Sequence, residues 1–220
     1  MERETKGGDR ASQQRMKWAI PLLLAAAACG QTRYPQHNMT LNLGGVVGLA
    51  DLSRYTEPST IIGGSYGYRF HRNFQADVGL DTAFGAARVR DYLNTSIGIF
   101  RIKDRQYFVP MGGRAIMPLA GGKALIYGGG GFAYMKYSEV LRQPSSYFRI
   151  DCPDCSTRDG WGYYSQTGFS VFMDRARMFR LGLGTRMYRG HTEGLGLGSL
   201  PGIRTRDRWL SGLVEMGISF

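Results

Sequence analysis

The sequence predicts an all-β fold: an eight-stranded antiparallel up-and-down transmembrane β-barrel after an N-terminal signal peptide. Three observations predict it. They are a short apolar export segment, recurrent runs of alternating apolar and polar residues, and connections that alternate strictly between short and long. Gly accounts for 32 of the 220 residues, Tyr for 13 and Phe for 11. Glycine lets strands bend, and aromatic residues concentrate at the two water–lipid boundaries of such barrels.

The first thirty residues have the features of a secretory signal. Lys17 precedes an apolar run over residues 18–28, which is too short to span a bilayer but fits the core of a signal peptide. Residues 1–30 are therefore predicted to be the signal peptide, with cleavage before Gln31, and residues 31–37 a short lead.

Two alternatives remain open in this segment. Met16 followed by Lys17 also looks like a normal start, which would place residues 1–15 upstream of the true start. Cys29 stands where a lipoprotein signal carries its lipidated cysteine. Ala26 replaces the usual leucine of such signals, so a small residue near the cleavage site is the preferred interpretation.

Residues 38–220 are predicted to form the barrel. The third strand is the most diagnostic, because Phe74, Val78 and Leu80 alternate with Gln75, Asp77 and Asp81, which gives one apolar and one acidic face. Each predicted strand reaches the roughly 10 residues that a tilted strand needs to cross the hydrocarbon. The predicted strands are 39–49, 60–70, 74–84, 107–117, 124–137, 163–173, 178–188 and 209–220.

The connections between these strands alternate in length. Short turns are predicted near His71, Ala120 and Asp174, and long loops over 51–59, 85–105, 138–160 and 189–208. A membrane barrel with an even number of strands has this asymmetry, with turns in the periplasm and loops outside the cell.

Over residues 39–220 the chain resembles the OmpA, OmpX and opacity-type eight-stranded outer-membrane barrels. In those proteins a terminal Phe with alternating apolar residues upstream is the signal read by the barrel-assembly machinery. Val214, Met216, Ile218 and Phe220 match that signal. The resemblance implies a bacterial outer-membrane protein whose partners are the surrounding lipid, lipopolysaccharide and, during biogenesis, the assembly machinery. The alternative is a secreted soluble barrel or sandwich, but the polar face is rich in glycine and short residues, which favours a crowded interior.

The net charge of +11 raises nucleic acid as a partner, because clustered basic residues neutralise phosphates. Here the basic residues fall singly in turns, loops and alternate strand positions, so nucleic-acid binding is not predicted. This distribution suits the phosphates of lipopolysaccharide.

A network of charges is predicted inside the barrel, because six charged residues of both signs fall on the polar faces of their strands. Asp77, Arg114 and Glu215 are expected at similar depth at the centre, with Arg186 and Asp81 nearer the outer mouth. Since isolated buried charges are costly, pairing is expected. The six residues are Asp77, Asp81, Arg114, Arg180, Arg186 and Glu215.

Cys152 and Cys155 lie in the third long loop of an exported chain. A local disulfide is predicted, since a redox motif would need a helix N-terminus and a zinc site two further ligands, of which none is nearby in sequence.

His191 lies in a segment that faintly resembles the His-x-Ser region of outer-membrane lipid A deacylases. Glu193 stands where those enzymes carry their serine nucleophile, which removes the nucleophile. No catalytic residue, cofactor or metal is therefore predicted. Eight strands enclose an interior that side chains can fill, so the expected function is a non-enzymatic surface barrel that acts through its loops in surface interaction, adhesion or envelope integrity. A lipid A-modifying enzyme and a narrow small-solute channel are the alternatives, and an extracellular ligand for the loops is unidentified.

Overall fold

The computed structural model describes residues 35–54, 56–86, 92–95, 98–141, 157–194 and 204–220. Within these residues the chain forms nine β-strands, joined in places by short 3₁₀ turns. The strands are β1 (His37–Gly48), β2 (Ser59–His71), β3 (Phe74–Phe84), β4 (Tyr92–Thr95), β5 (Gly98–Leu119), β6 (Ala124–Leu141), β7 (Thr157–Phe172), β8 (Phe179–Gly194) and β9 (Arg204–Ser219).

Eight of these strands close into a barrel. Each pairs antiparallel with its neighbours in the order β3-β2-β1-β9-β8-β7-β6-β5, and β3 also pairs with β5, which closes the ring. β4 is not part of the ring, and within the described residues it pairs with the start of β5 alone. The predicted eight-stranded antiparallel up-and-down barrel is therefore confirmed.

The chain termini of the barrel meet at one end. The amides of His37 and Phe220 each donate to the other residue's carbonyl, at 2.8 and 2.9 Å, so the first and last strands are locked together. The short turns lie at this same end, and Gly121 and Gly122 supply φ values of 66° and 85° in one of them. We call this the turn end and the opposite end the loop end.

Five strands extend further toward the loop end than the sequence predicted. β5 begins at Gly98 although residues 85–105 were expected to be a loop, and parts of 138–160 and 189–208 are also strand. The reason is visible in β5, where Lys103 and Arg105 face outward and Asp104 and Gln106 inward. Both faces are polar there, so the apolar alternation that marks a membrane strand is missing although the backbone pairing continues.

The two faces of the barrel have opposite chemistry. Large apolar side chains point outward over the middle of every barrel strand, with Leu183 66% exposed and Leu80 51% exposed. The inward positions are buried and mostly polar or glycine, as in β8, where Arg180, Gly182, Gly184 and Arg186 alternate with the outward residues. A globule in water buries its apolar side chains, so this inverted pattern belongs to a barrel surrounded by lipid.

Among the described residues, no helix is long and apolar enough to cross a membrane. The predicted signal peptide, residues 1–30, and the predicted disulfide between Cys152 and Cys155 lie outside the described residues.

Candidate functional site: the barrel interior and its loop end

Inward glycines make room for the large interior side chains. A Cβ atom built on Gly63 would collide with the carboxylate of Asp81, and one built on Gly67 would collide with Gln75 and Asp77. The missing side chain at each glycine therefore leaves room for a large side chain from a neighbouring position. The same relation holds for Gly168 and Tyr127, Gly190 and Met135, and Gly217 and Arg180.

Asp77 and Arg114 form an ion pair in the half of the interior nearer the turn end. Nε of Arg114 donates to Oδ2 of Asp77 at 2.6 Å, and both side chains are buried. Nε2 of Gln75 donates to the other carboxylate oxygen at 2.6 Å, and Nε2 of Gln166 lies 3.4 Å from Oδ2. The carboxylate is thus held by one cation and two amides.

A second ion pair joins Asp81 to Arg186 further toward the loop end. Asp81 is fully buried, and its Oδ2 accepts from Nη1 of Arg186 and, at 2.5 Å, from the hydroxyl of Tyr188. Nη2 of Arg186 donates to Oε1 of Gln166 at 3.2 Å. Because the same Gln166 amide also approaches Asp77, the two ion pairs are parts of one network.

Glu215 and Arg180 are the other two of the six predicted charges, and three further charged residues are also buried: Arg69, Asp104 and Asp207. Nη2 of Arg180 donates to Oγ1 of Thr40 at 2.7 Å, and the arginine interacts electrostatically with Glu215. The carboxylate of Glu215 lies beside the hydroxyl of Tyr127, since a Cβ built on Gly184 would stand 2.7 Å from an oxygen of each. All six charges predicted for the interior are therefore inward and buried.

The structure selects the partners within this network. Of the three charges expected at the centre, Arg114 is hydrogen-bonded to Asp77, while Glu215 interacts with Arg114 electrostatically without an ion-pair contact. Arg186 and Asp81 form the pair nearer the loop end, where both were expected. Strand register decides such pairings, and periodicity within one strand does not report it.

Aromatic and apolar side chains fill the interior above the ion pairs. The rings of Phe108 and Tyr188 stack with centroids 4.2 Å apart, and the Trp209 ring meets Phe108 edge-on at 6.0 Å. Ala133 and Met135 pack into the same buried cluster. We call this cluster the aromatic plug; its other members are Val46, Leu52, Ile61, Ala83, Ala86, Tyr164 and Leu213.

The first connection at the loop end contributes to the plug. Leu52 and Thr56 are buried, and a Cβ on Gly48 would collide with Thr56 and approach Leu52. The amide of Glu57 donates to the carbonyl of Ala86 at 2.8 Å, which ties this connection to the end of β3. The connection therefore packs over the plug at that side of the mouth.

Sequence reasoning missed the buried charges Arg69, Asp104 and Asp207 and also the uncharged members of the network. Gln166 and Tyr188 bridge the charges, and Tyr127 and Trp209 fill space beside them. Their inward positions follow from the strand pattern, since each shares a face with inward glycines or serines. The period-two pattern could therefore have found them, had polar aromatic residues been counted as interior candidates.

The candidate metal-binding and catalytic side chains of the sequence can be located on the barrel. Within the described part of the chain, no three His, Cys, Asp or Glu side chains are placed to hold a metal ion. His191 and Glu193 both face outward on β8, and Glu193 forms an exposed ion pair with Arg204 at 3.0 Å. The residues of the predicted assembly signal, Val214, Met216, Ile218 and Phe220, face outward on or just beyond β9.

A closed eight-stranded barrel with an apolar exterior and a charged, filled interior defines the class of outer-membrane β-barrel proteins, and its location is the bacterial outer membrane. No protein-family model matches the chain, and no curated protein matches it.

Several solved structures share this fold. The chain is similar to Neisserial surface protein A, with 14% identity, a TM-score of 0.55, and coverage of 84% of this chain and 97% of that one. It is similar to the outer membrane protein OprG from Pseudomonas aeruginosa, with 13% identity, a TM-score of 0.54, and coverage of 85% and 97%. It is also similar to Ail, the attachment invasion locus protein of Yersinia pestis, in complex with the heparin analogue sucrose octasulfate, with 10% identity, a TM-score of 0.51, and coverage of 86% and 100%. The likeness is one of fold.

Proposed function

We propose that this chain is a closed, non-enzymatic outer-membrane barrel that acts through its loop end in surface interaction, adhesion or envelope integrity. The observation that carries the proposal is the filled interior. The ion-pair network and the aromatic plug lie one above the other, and their members are nearly all inaccessible to solvent. A lumen of this kind offers no continuous path for a solute.

The barrel wall extends further toward the loop end on one side than on the other. β5 through β9 have 16 to 22 residues, whereas β1 through β3 have 11 to 13, so one side of the wall projects further. The projecting segments carry exposed charges such as Arg189, Arg204 and Arg206. A rigid polar surface beyond the membrane is a suitable place to contact a ligand, and lipopolysaccharide and extracellular polyanions are chemically suited partners.

The enzymatic alternative has weaker support. A serine-dependent deacylase needs a serine next to its histidine base, and Glu193 follows His191 at that spacing. On the outward face His191 lies opposite Arg206, which is not a nucleophile.

The experiment is reconstitution of the purified barrel into liposomes that contain lipid A, with conductance and lipid A acyl composition recorded on the same preparation. We expect no sustained conductance and an unchanged set of acyl chains. Steady large conductance would overturn the closed barrel in favour of a channel, and loss of an acyl chain would establish an enzyme.

A further inference from the structure

Two rows of basic side chains face outward at the loop end of β8 and β9. Arg189 on β8 lies directly opposite Arg208 on β9, and in the next outward row His191 lies opposite Arg206. All four side chains are on the outer wall and accessible to solvent. We call these four residues the basic double row.

The pairing of Arg189 with Arg208 is unfavourable within the protein itself. Directly opposed residues on one face of an antiparallel pair have Cβ atoms about 5 Å apart, and like charges at that spacing repel. The outward row beyond the basic double row is different, because Glu193 lies opposite Arg204 and the two form an ion pair at 3.0 Å. Among the described residues no acidic side chain pairs with Arg189, Arg206 or Arg208.

The basic double row begins where the apolar belt ends. The outward pair immediately below it is Met187 and Leu210, which are 44% and 40% exposed. On the neighbouring strand Tyr163 pairs with Arg189 and is 65% exposed, as suits an amphipathic ring at the membrane–water interface. The arginines therefore stand at the depth of the lipid headgroups on the loop side of the membrane.

We propose that the basic double row is a binding site for a phosphorylated glycolipid headgroup of the outer leaflet, the chemistry that lipopolysaccharide presents. Arginine guanidinium groups bind phosphate oxygens through paired N–H donors, and a phosphate between Arg189 and Arg208 would replace their repulsion with two attractive contacts. The acyl chains of the same lipid would lie on the apolar surface around Met187 and Leu210. This inference rests on the proposed orientation, with the loop end facing outward, and deepens the proposed function by naming the lipid class and its site.

The test measures binding of bisphosphorylated lipid A to the folded full-length barrel in a non-ionic detergent by native mass spectrometry. The variant is Arg189→Gln/Arg206→Gln/Arg208→Gln. A basic residue beside an anionic headgroup contributes about fivefold in affinity, so we expect the triple variant to bind about 100-fold more weakly. Chemically dephosphorylated lipid A should bind the natural barrel as weakly as the variant binds the bisphosphorylated form.

The matched control is Lys103→Gln/Arg105→Gln/Lys136→Gln, which removes the same charge from exposed residues of β5 and β6 on the opposite wall. We expect it to retain the affinity of the natural barrel. In lipid-free detergent the Arg189 triple variant should also unfold at a higher urea concentration than the natural barrel, because it has lost the repulsion, and added lipid A should stabilise only the natural barrel.

Equal loss of affinity in the two triple variants would overturn the site, as would equal binding of the dephosphorylated lipid. If inorganic phosphate stabilised the barrel as much as lipid A does, the ligand of the site would be a free anion and the lipid proposal would be wrong. If the triple variant does not fold, Arg189→Gln alone and the salt dependence of lipid A binding test the same point, and salt-independent binding would overturn it. Liposome conductance reports separately on the closed barrel, so either proposal can fail alone.

Discussion

The two halves of the barrel interior are filled by different physical means. Nearer the turn end, charged and amide side chains occupy much of the space beside a small apolar cluster of Ile116, Leu125 and Tyr127. Each charge there depends on a partner, as Arg114 does on Asp77. Nearer the loop end, the aromatic plug occupies it through ring stacking and close packing, as between Phe108 and Tyr188. Asp81 and Arg186 join the two halves, since the hydroxyl of Tyr188 belongs to the plug and donates to Asp81.

This difference determines how each half tolerates change. A buried ion pair fails when one partner is neutralised, because the remaining charge loses its compensation, even if the shape is kept. A packed cluster fails when volume changes, and it tolerates an exchange between side chains of similar size. Substitutions that conserve shape should therefore destabilise the barrel when they neutralise an ion-pair residue and have little effect in the aromatic plug.

Asp81→Asn should have the largest effect. It keeps the shape but leaves the buried Arg186 guanidinium without its carboxylate, which costs about 3 to 5 kcal/mol. Arg186→Met added to Asp81→Asn should restore much of that loss, because neither charge then remains. Urea unfolding followed by tryptophan fluorescence in detergent measures Asp81→Asn, Arg186→Met and the double variant.

The same cycle on Asp77→Asn and Arg114→Met is the natural companion, since this pair shares Gln166 with the first. Simple additivity of single and double variants in both cycles would mean that the charges are separately solvated. In that case the inward network would contribute nothing through pairing.

Gly184→Ala should have an intermediate effect. The new methyl carbon would stand 2.7 Å from oxygens of both Glu215 and Tyr127, which is closer than such atoms approach. Overpacking of this kind costs about 1 to 3 kcal/mol. Gly212→Ala is the control, because this glycine faces outward with no atom within 4 Å of an added Cβ.

The retained fraction of folded barrel on an unheated gel and the urea midpoint both report the result. A Gly212→Ala variant as unstable as Gly184→Ala would show that a methyl group at any strand glycine, rather than the interior contact, decides the outcome.

Met135→Leu should have a small effect, although Met135 is fully buried in the aromatic plug. The exchange conserves volume and introduces no charge, so its cost should stay below about 1.5 kcal/mol. Comparison of its urea midpoint with that of Asp81→Asn tests the contrast directly. If Met135→Leu lowered the urea midpoint more than Asp81→Asn, the packing of the plug would contribute more to stability than the ion pair.

Much of this architecture could be predicted from alternation alone. β3 was predicted with the bounds that the structure shows, because Phe74 through Phe84 alternate without interruption and turn residues flank them. The start of β5 could not be predicted, since Lys103 to Gln106 are polar on both faces. Periodicity placed Arg114 and Asp77 inside, but their hydrogen bond depends on the register between β3 and β5, which the sequence of neither strand contains.

An exposed carboxylate at the turn end is held by backbone amides instead of by a buried cation. Asp174 lies in an exposed turn between β7 and β8, where its oxygens accept the backbone amides of Met178 at 3.0 Å and Phe179 at 2.8 Å. These two hydrogen bonds lower the pKa of Asp174 below its ordinary value of 3.8. Since the folded pKa lies below the unfolded one, the contribution to stability is fully present above the unfolded value and is lost as the pH falls through the folded one.

Asp174→Ala should therefore destabilise the barrel slightly at pH 7, and the difference from the natural chain should shrink as the pH falls below about 4. Because the turn is exposed, solvent screens the effect, and we expect it to be the smallest of the four. Urea midpoints at pH 7 and at pH 3 measure it, with Asp174→Asn as a second variant that keeps the side-chain shape. A difference that grew as the pH fell would contradict the assigned role, because a carboxylate that anchors the turn through backbone amides loses that function once it is protonated.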